Sequence, residues 1–334
     1  MKRELLYPEI TVRRAPPLGY DDPAFHLSFL RLEERAEPCY VRELRNALVA
    51  PSGLVFKGGR IVPESVHTFN PPRPGTFYKK LVLGRVRQAP DKCFVVHHRL
   101  HLNYYHWTTE MLPRIYCIRD RIRDRFLLLG DESRVWQTES LRYFEFAGVV
   151  HIGRLELART ENLLVPQPLG RFPVYNEQVL REMGAWYRER TPWNGSEFAD
   201  CRNLFIMREP GKTRNLVNQA EVIELLTRYG FKAVCLEPLS IPRQVNLFRN
   251  VRNLVSVHGA GMSNMIFMEP GGAVIDLINE HHRDASFFNL ACAGGHRQVV
   301  LQCATAGDIH RKAAIYDIAV DLDRLRHYLE RCMV

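Results

Sequence analysis

The chain has no run approaching the ~18 uninterrupted apolar residues of a membrane-spanning helix, so no spanning segment is expected. It has no CxxC pair and no close Cys/His grouping. Its eight cysteines therefore make neither a zinc knuckle nor a redox pair, and Cys93 and Cys235, set in apolar runs, read as small buried thiols. GxGxxG is missing, and no lysine completes a Walker pattern, which removes the usual dinucleotide fingerprint and the P-loop. No zinc-finger, RNP or helix-turn-helix pattern accompanies the basic residues, so nucleic acid is the weakest of the anionic partners. The acid pairs that hold a metal in many sugar-transfer enzymes are absent from the loops, and DLD at 321–323 falls in an amphipathic tail helix. A secretory leader needs an apolar run after its positive start. Here Glu4, Pro8 and Glu9 interrupt it, and the expectation is a cytoplasmic location.

What is present is ordinary in bulk and uneven in detail. The 334 residues suffice for two domains, and 46% apolar with 25% charged residues is a soluble composition. The net charge of +9 sits wholly in residues 1–130, with 22 Lys+Arg against 13 Asp+Glu, while the remainder balances at 24 of each. A basic N-terminal part points to an anionic glycan or the anionic inner face of a membrane, unless it is only a solvated face.

The hydrophobic pattern divides the chain into two α/β halves. Residues 1–60 read as irregular, with short strands at 11–14 and 54–57, and 68–75 as a loop. Strands are expected at 81–86, 93–98, 126–130 and 149–152, and helices over 104–121, around Pro113, and 132–148. After a helix at 175–190 and a turn-rich linker at 191–200, a second series begins. It has strands at 203–209, 231–237 and 254–257, helices at 219–230 and 240–250, a late strand at 296–304 and a terminal helix at 321–333. Repeated βα units without a barrel repeat favour open, mostly parallel sheets.

Three constellations carry chemistry. In Val255–Leu277 an apolar strand runs into a turn holding His258, Gly259, Ala260, Gly261, Ser263 and Asn264 at the mouth of a helix, the usual setting of a phosphate site. Arg208, Lys212 and Arg214 end the 203–209 strand and follow it, where they can neutralise a diphosphate. Glu269, before Pro270-Gly271, can accept from sugar hydroxyls. Between His97 and Glu110 lie His97, His98, His101 and His106. His106 and Glu110 are four apart on one helical face, either a metal pair or a base with its orienting partner, of which the second is favoured. Tyr104, Tyr105 and Trp107 can stack on sugar rings. Each group also has a plain structural reading, as a tight turn, a core histidine or a solvated loop.

Two segments together, Asn103-Tyr-Tyr-His-Trp-Thr-Thr-Glu-Met-Leu-Pro-Arg114 and Val257-His-Gly-Ala-Gly-Met-Ser-Asn-Met-Ile-Phe267 with Pro270-Gly271, resemble the glycosyltransferase 61 family. The resemblance spans about residues 95–280, including Arg208, Arg214, Asn215 and Asn218, and leaves residues 1–80 without a signature. It implies an α/β fold of GT-B type, two Rossmann-like domains facing across a cleft. These would be an acceptor-side domain at 1–175, a nucleotide-sugar donor domain at 176–320, and a terminal helix at 321–334 packing back on the first.

It implies an inverting, metal-independent glycosyltransferase of hexosyl or pentosyl class. The partners would be a nucleotide-sugar donor and a glycan or glycolipid acceptor, in capsular or lipopolysaccharide synthesis, with peripheral membrane contact and no cofactor. Arg208, Lys212, Arg214, His258, Gly259, Ala260, Gly261, Ser263, Asn264 and Glu269 become donor residues. Glu110 or His106 becomes the base, and Asn103, Tyr104, Tyr105, Trp107 and Arg114 face the acceptor. Met262 and Ser263 replace a common Leu and Thr, and Met207 stands where Ser or Thr is frequent, which leaves Arg208 more of the phosphate contact. Another nucleotide-sugar enzyme and a non-catalytic glycan-binding or scaffold protein remain the rival readings.

Overall fold

The structure, a computed structural model, describes residues 3–66, 84–170, 172–193, 197–208, 213–307 and 316–333. The chain forms two compact units. One comprises Met1–Thr11 and Arg35–Val179, the other Val12–Glu34 and Leu180–Val334. The strands up to residue 94 are β1 (Arg3–Tyr7), β2 (Ile10–Arg13), β3 (Glu33–Ala36), β4 (Cys39–Val49), β5 (Val55–Lys57), β6 (Arg60–Ile61), β7 (Arg85–Gln88) and β8 (Lys92–Phe94). After these come β9 (Phe126–Gly130), β10 (Gly148–Ile152) and β11 (Glu156–Pro166).

The first unit is built on a mixed sheet in the order β10-β9-β8-β11-β4-β5-β6, with β1 also on β4 and β7 on β11. Strands β8, β9, β10 and β11 run parallel, and the Leu112–Ile118 and Val135–Leu141 helices supply the crossovers that parallel neighbours require. β11, β4, β5 and β6 are antiparallel. The β5–β6 hairpin turns on Gly58 and Gly59, whose φ values of 56° and 73° are those a two-residue type I′ turn demands. Leu44, Ala47, Val49, Cys93, Leu128, Leu163 and Val165 meet in its core. The long strand β4 lies inside residues 1–60, expected to be irregular. Its buried residues Val41, Leu44 and Ala47 stand three apart, on either side of Asn46 at φ 49°, so no two-residue period shows although the register with β11 is kept.

The second unit holds β12 (Asn203–Met207), β13 (Phe231–Cys235), β14 (Asn253–Val257), β15 (Ala273–Asn279), β16 (Arg297–Ala306) and β17 (Asp317–Ala319). Their order is β13-β12-β14-β15-β16-β17, parallel except for the edge pair β16–β17. β14 and β15 are buried along their whole length, as strands covered on both faces must be. The chain moves outward from β12 to β13, then returns across it to β14. The sheet therefore reverses direction between β12 and β14, and the crevice at the carboxyl end of that pair is where open α/β sheets bind ligands.

The terminal helix Leu322–Cys332 is capped by Asp321, which accepts from the amides of Asp323 and Arg324. Leu325, Tyr328 and Leu329 bury themselves beside Phe25, Leu225 and Val300 of this second unit. The helix thus packs within the second unit. It meets residues 12–34, which leave the N-terminal half to join the second core.

The Glu177–Arg190 helix packs so closely on the turn after β14 that a Cβ at Gly184 would lie 2.0 Å from the Ile266 carbonyl oxygen. Gly184→Ala is therefore expected to destabilise the protein by about 1–3 kcal/mol, despite alanine's higher helix propensity. A urea midpoint equal to or above wild type would contradict this packing.

Candidate functional site

In the first unit the chain leaves β8 and reaches a helix whose first turn is capped by Asn103. Its side-chain oxygen accepts from the Tyr105 amide at 3.0 Å. Pro113 has no N–H for the Thr109 carbonyl, and the ladder re-registers through a π turn over Trp107–Met111, with the Leu112 amide reaching back five residues to Trp107. Glu110 sits in that turn. Its Oε2 lies 2.7 Å from His98 Nε2 and its Oε1 3.0 Å from His106 Nδ1. The Leu100 amide donates to His98 Nδ1 at 3.3 Å, so the His98 proton is on Nε2 and is given to Glu110. Glu110 thus joins two imidazoles, and His98, absent from the sequence-based site, is one of them.

Several neighbours expected to face an acceptor are structural. Trp107 is fully buried and its indole N–H donates to Ser140 Oγ at 2.9 Å. Tyr105 is buried with its hydroxyl on that of Tyr175, and Asn103 is a cap. Tyr104, half-buried, stands edge-on to Trp136. Arg114 is buried and donates to the carbonyls of Pro166, Val96 and Glu64. Burial lowers its pKa to about 10, the Cys39, Glu110 and Cys117 charges opposing, which leaves it a cation at neutral pH. His97, buried against the Pro51 carbonyl at 3.0 Å, is pushed down to about 3 by burial and the neighbouring His101, and is neutral.

In the second unit the carboxyl edge is polar. His258 follows β14 and is buried. Its Nδ1 lies 2.8 Å from Asp276 Oδ2 in β15, and its Nε2 lies 3.8 Å from Asp284 Oδ2. Burial pushes the imidazole down, but the two carboxylates outweigh it and hold the pKa at about 9. Asp284, although burial opposes its charge, is held well below the usual carboxylate range by His258 and Ser286. Burial and the His258 charge lower His282, whose ring stands edge-on to that of His258 at 4.9 Å.

On the other side of the glycine turn, toward β12, a cavity of about 230 Å³ is lined by Phe205, Ile206, Leu216 and Val257 with Arg208, Arg214, Asn215 and Gln219. It is below the ~300–1,000 Å³ of whole-ligand pockets. Arg214 donates to the His258 carbonyl at 2.6 Å from a left-handed backbone at φ 63°. Asn215 and Asn218 pin that loop, to Asp317 and Val320 respectively. Burial lowers the pKa of Arg208, and burial with the Arg208 charge brings Arg214 to about 10. Two half-buried cations lining one cavity favour an anion there.

Gly259 is extended, so its conformation suits any residue. What requires glycine is space, since a Cβ there would lie 2.9 Å from an Arg208 guanidinium nitrogen. Gly261 touches Leu236 and Ile206, and Ala260 opens the short helix Ala260–Phe267. The amides at such a helix start are one source of anion affinity.

Other expected donor residues lie elsewhere. Asn264 is fully buried and donates to Gln244 at 2.6 Å, and Ser263 is fully buried as well. Glu269 is removed from the glycine turn by the fold itself. Since β14 and β15 are parallel, the connection between them must return to the amino edge of the sheet, where Glu269 pairs with Arg188 at 2.8 Å. It therefore does not share an edge with His258. Lys212 lies outside the described residues. Conversely, Asp276, His282 and Asp284 escaped the sequence reading. The signal was a lone acid in the apolar run Ala273–Asn279 and a His-His-Arg-Asp segment just past that strand.

Cationic groups at the switch point of a parallel sheet stand where open α/β proteins of the ligand-binding class hold their ligands. The family model for Glycosyltransferase 61 matches residues 104–275, a span that contains His106, Glu110, Arg208, Arg214 and the glycine turn, and the chain belongs to that family. A relative from Oryza sativa subsp. japonica, described as the beta-1,2-xylosyltransferase XAX1, is 24% identical over 197 residues. The alignment covers 53% of this chain and 35% of the relative, so the chain spans about a third of that protein.

Two expectations follow. Arg114→Ala leaves three buried carbonyls unpaired and is expected to cost at least about 3 kcal/mol in urea unfolding; an unchanged midpoint would remove Arg114 from the scaffold. The raised pKa of His258 implies stability fully present below about pH 6.5 and lost as pH rises through about 9. In EDTA-containing buffer, Asp276→Asn should flatten that part of the pH–stability curve relative to wild type; parallel curves would show that His258 is not held charged.

Proposed function

We propose that the chain transfers a sugar from a nucleotide-activated donor to a hydroxyl of a glycan, on a GT-B plan and with inversion at the anomeric carbon. The observation that carries this reading is the cavity at the β12–β14 switch point, where Arg208 and Arg214 line the wall and His258 supplies a third cation behind it. In an inverting transfer the leaving nucleotide accumulates negative charge as the glycosidic bond breaks. Preorganised guanidinium groups and amides stabilise that charge without reorganising. The transfer step is therefore written without a metal. The description of the Oryza sativa relative as a beta-1,2-xylosyltransferase supports sugar transfer and brings a pentose donor within the proposal.

The acceptor hydroxyl loses a proton as it attacks. His106 donates its Nδ1–H to Glu110, and that tautomer leaves the lone pair on Nε2. A carboxylate that orients an imidazole while the far nitrogen takes the proton is the arrangement of the serine-hydrolase triad. His106 is accordingly proposed as the base and Glu110 as its positioning residue. The basic N-terminal part supports an anionic acceptor of capsular or lipopolysaccharide type, made at the inner face of a membrane. No helix among the described residues is long and apolar enough to cross one.

Isothermal titration and initial rates with nucleotide sugars test the assignment. Arg208→Ala should weaken donor binding about 10–100-fold. His106→Ala should lower kcat about 10²–10⁴-fold with donor binding retained. Donor binding untouched by Arg208→Ala would sink the donor site, and full turnover in His106→Ala would sink the base.

A further inference from the structure

Three side chains at the carboxyl edge of β15 face one another in a way that hydrogen bonding does not explain. His258 Nε2 and His282 Nε2 lie 3.8 and 3.9 Å from the same oxygen, Asp284 Oδ2, and all three atoms fall within 4.8 Å of one another. These separations are too long for hydrogen bonds. They are about half an ångström wider than the ~3.4 Å between neighbouring ligands of a tetrahedral ion with bonds near 2.05 Å.

The groups behind them are those that orient ligands. His258 Nδ1 is fixed by Asp276 Oδ2 at 2.8 Å, which directs Nε2 inward, in the carboxylate–histidine–metal pattern. Asp284 Oδ1 is occupied by the Ser286 amide at 2.8 Å and by the Ser286 hydroxyl, which leaves Oδ2 for the centre. His258 is buried, while His282 and Asp284 remain partly exposed, so an ion has a way in and solvent can complete its shell.

The other histidine–carboxylate group lacks this character. His98 and His106 are bonded directly to Glu110 at 2.7 and 3.0 Å, and the Leu100 amide on His98 Nδ1 keeps the proton on the nitrogen a metal would need.

We propose that His258, His282 and Asp284 form a binding site for one divalent first-row transition metal ion, with Asp276 and Ser286 as its orienting residues. Two imidazoles and a carboxylate with open positions suit Zn²⁺, Co²⁺ or Fe²⁺ over Mg²⁺ or Ca²⁺. This goes beyond the transfer reading and does not rest on it. On binding, the ion displaces the Nε2 proton of His258 and its charge stands in for that of the imidazolium; Arg214, which lines the cavity, lies within electrostatic reach of Asp284 and His282, and the transfer step as written does not use the ion.

The test uses the full chain, stripped with EDTA and returned to chelator-free buffer. Zn²⁺ is titrated by calorimetry, and Co²⁺ is followed by its visible d–d absorption. Wild type is expected to bind one equivalent, with a Co²⁺ spectrum of imidazole–carboxylate character. His282→Ala and Asp284→Asn, each confirmed as folded by its melting curve in EDTA, should weaken that binding at least about 100-fold, and His98→Ala should leave it unchanged. The proposal is overturned if no stoichiometric ion binds, if both folded variants bind as wild type does, or if His98→Ala is the variant that loses the ion. Nucleotide-sugar binding measured in EDTA reports on the transfer reading alone, so either conclusion can fail without the other.

Discussion

The hydrogen bond from His258 to Asp276 organises the polar end of the second unit. Each residue alone would be a charged or polar group stranded beside an apolar strand, at a cost of several kcal/mol. Together they tie the end of β14 to β15 and fix where the chain must turn. The turn then brings Gly259 against Arg208, and only a residue without a side chain leaves room for the guanidinium. The His258 carbonyl, set by the same turn, accepts from Arg214, which lines the cavity. One buried pair thus sets the positions of two arginines on a neighbouring strand's loop.

Much of the second unit was legible in the sequence because its strands are short apolar runs closed by glycine or proline. β12, β13 and β14 fall where Asn203–Met207, Phe231–Cys235 and Asn253–Val257 break off. β4 was not legible, since its buried residues Val41, Leu44 and Ala47 stand three apart and hide the two-residue period by which an exposed strand is recognised. The site divides in the same way. Arg208, Arg214 and His258 follow strand ends and were found by that rule. Glu269 is close in sequence to the glycine turn but at the opposite edge, a distinction that only the parallel pairing of β14 and β15 makes. Asp284 needed the reverse inference, since it is distant in sequence from the turn and adjacent to it in the fold.

The motif residues around His106 carry a related lesson. Asn103, Trp107 and Arg114 belong to a recognisable pattern, yet what they do is cap, fill and clamp a helix. The N-terminal charge excess is also partly internal. Arg114 is buried against the carbonyls of Pro166, Val96 and Glu64, and the half-buried Arg125 reaches the Asn162 side chain. A surplus of arginine therefore measures in part how many carbonyls the first sheet must satisfy.

The π turn at Trp107–Met111 has a geometric consequence. Such a turn is an α-helix carrying one surplus residue, and it sets the two ends of the helix out of phase by about 100°, the angle of one α-helical residue. The buried guanidinium clamp at Arg114 fixes the rotation of one end, so the surplus residue determines which way His106 points at the other. The helix behaves as a dial with one stop. Loss of a single residue between His106 and Pro113, even one whose side chain has no role of its own, would turn the imidazole away from its present partners, so in this segment length is under the same constraint as identity.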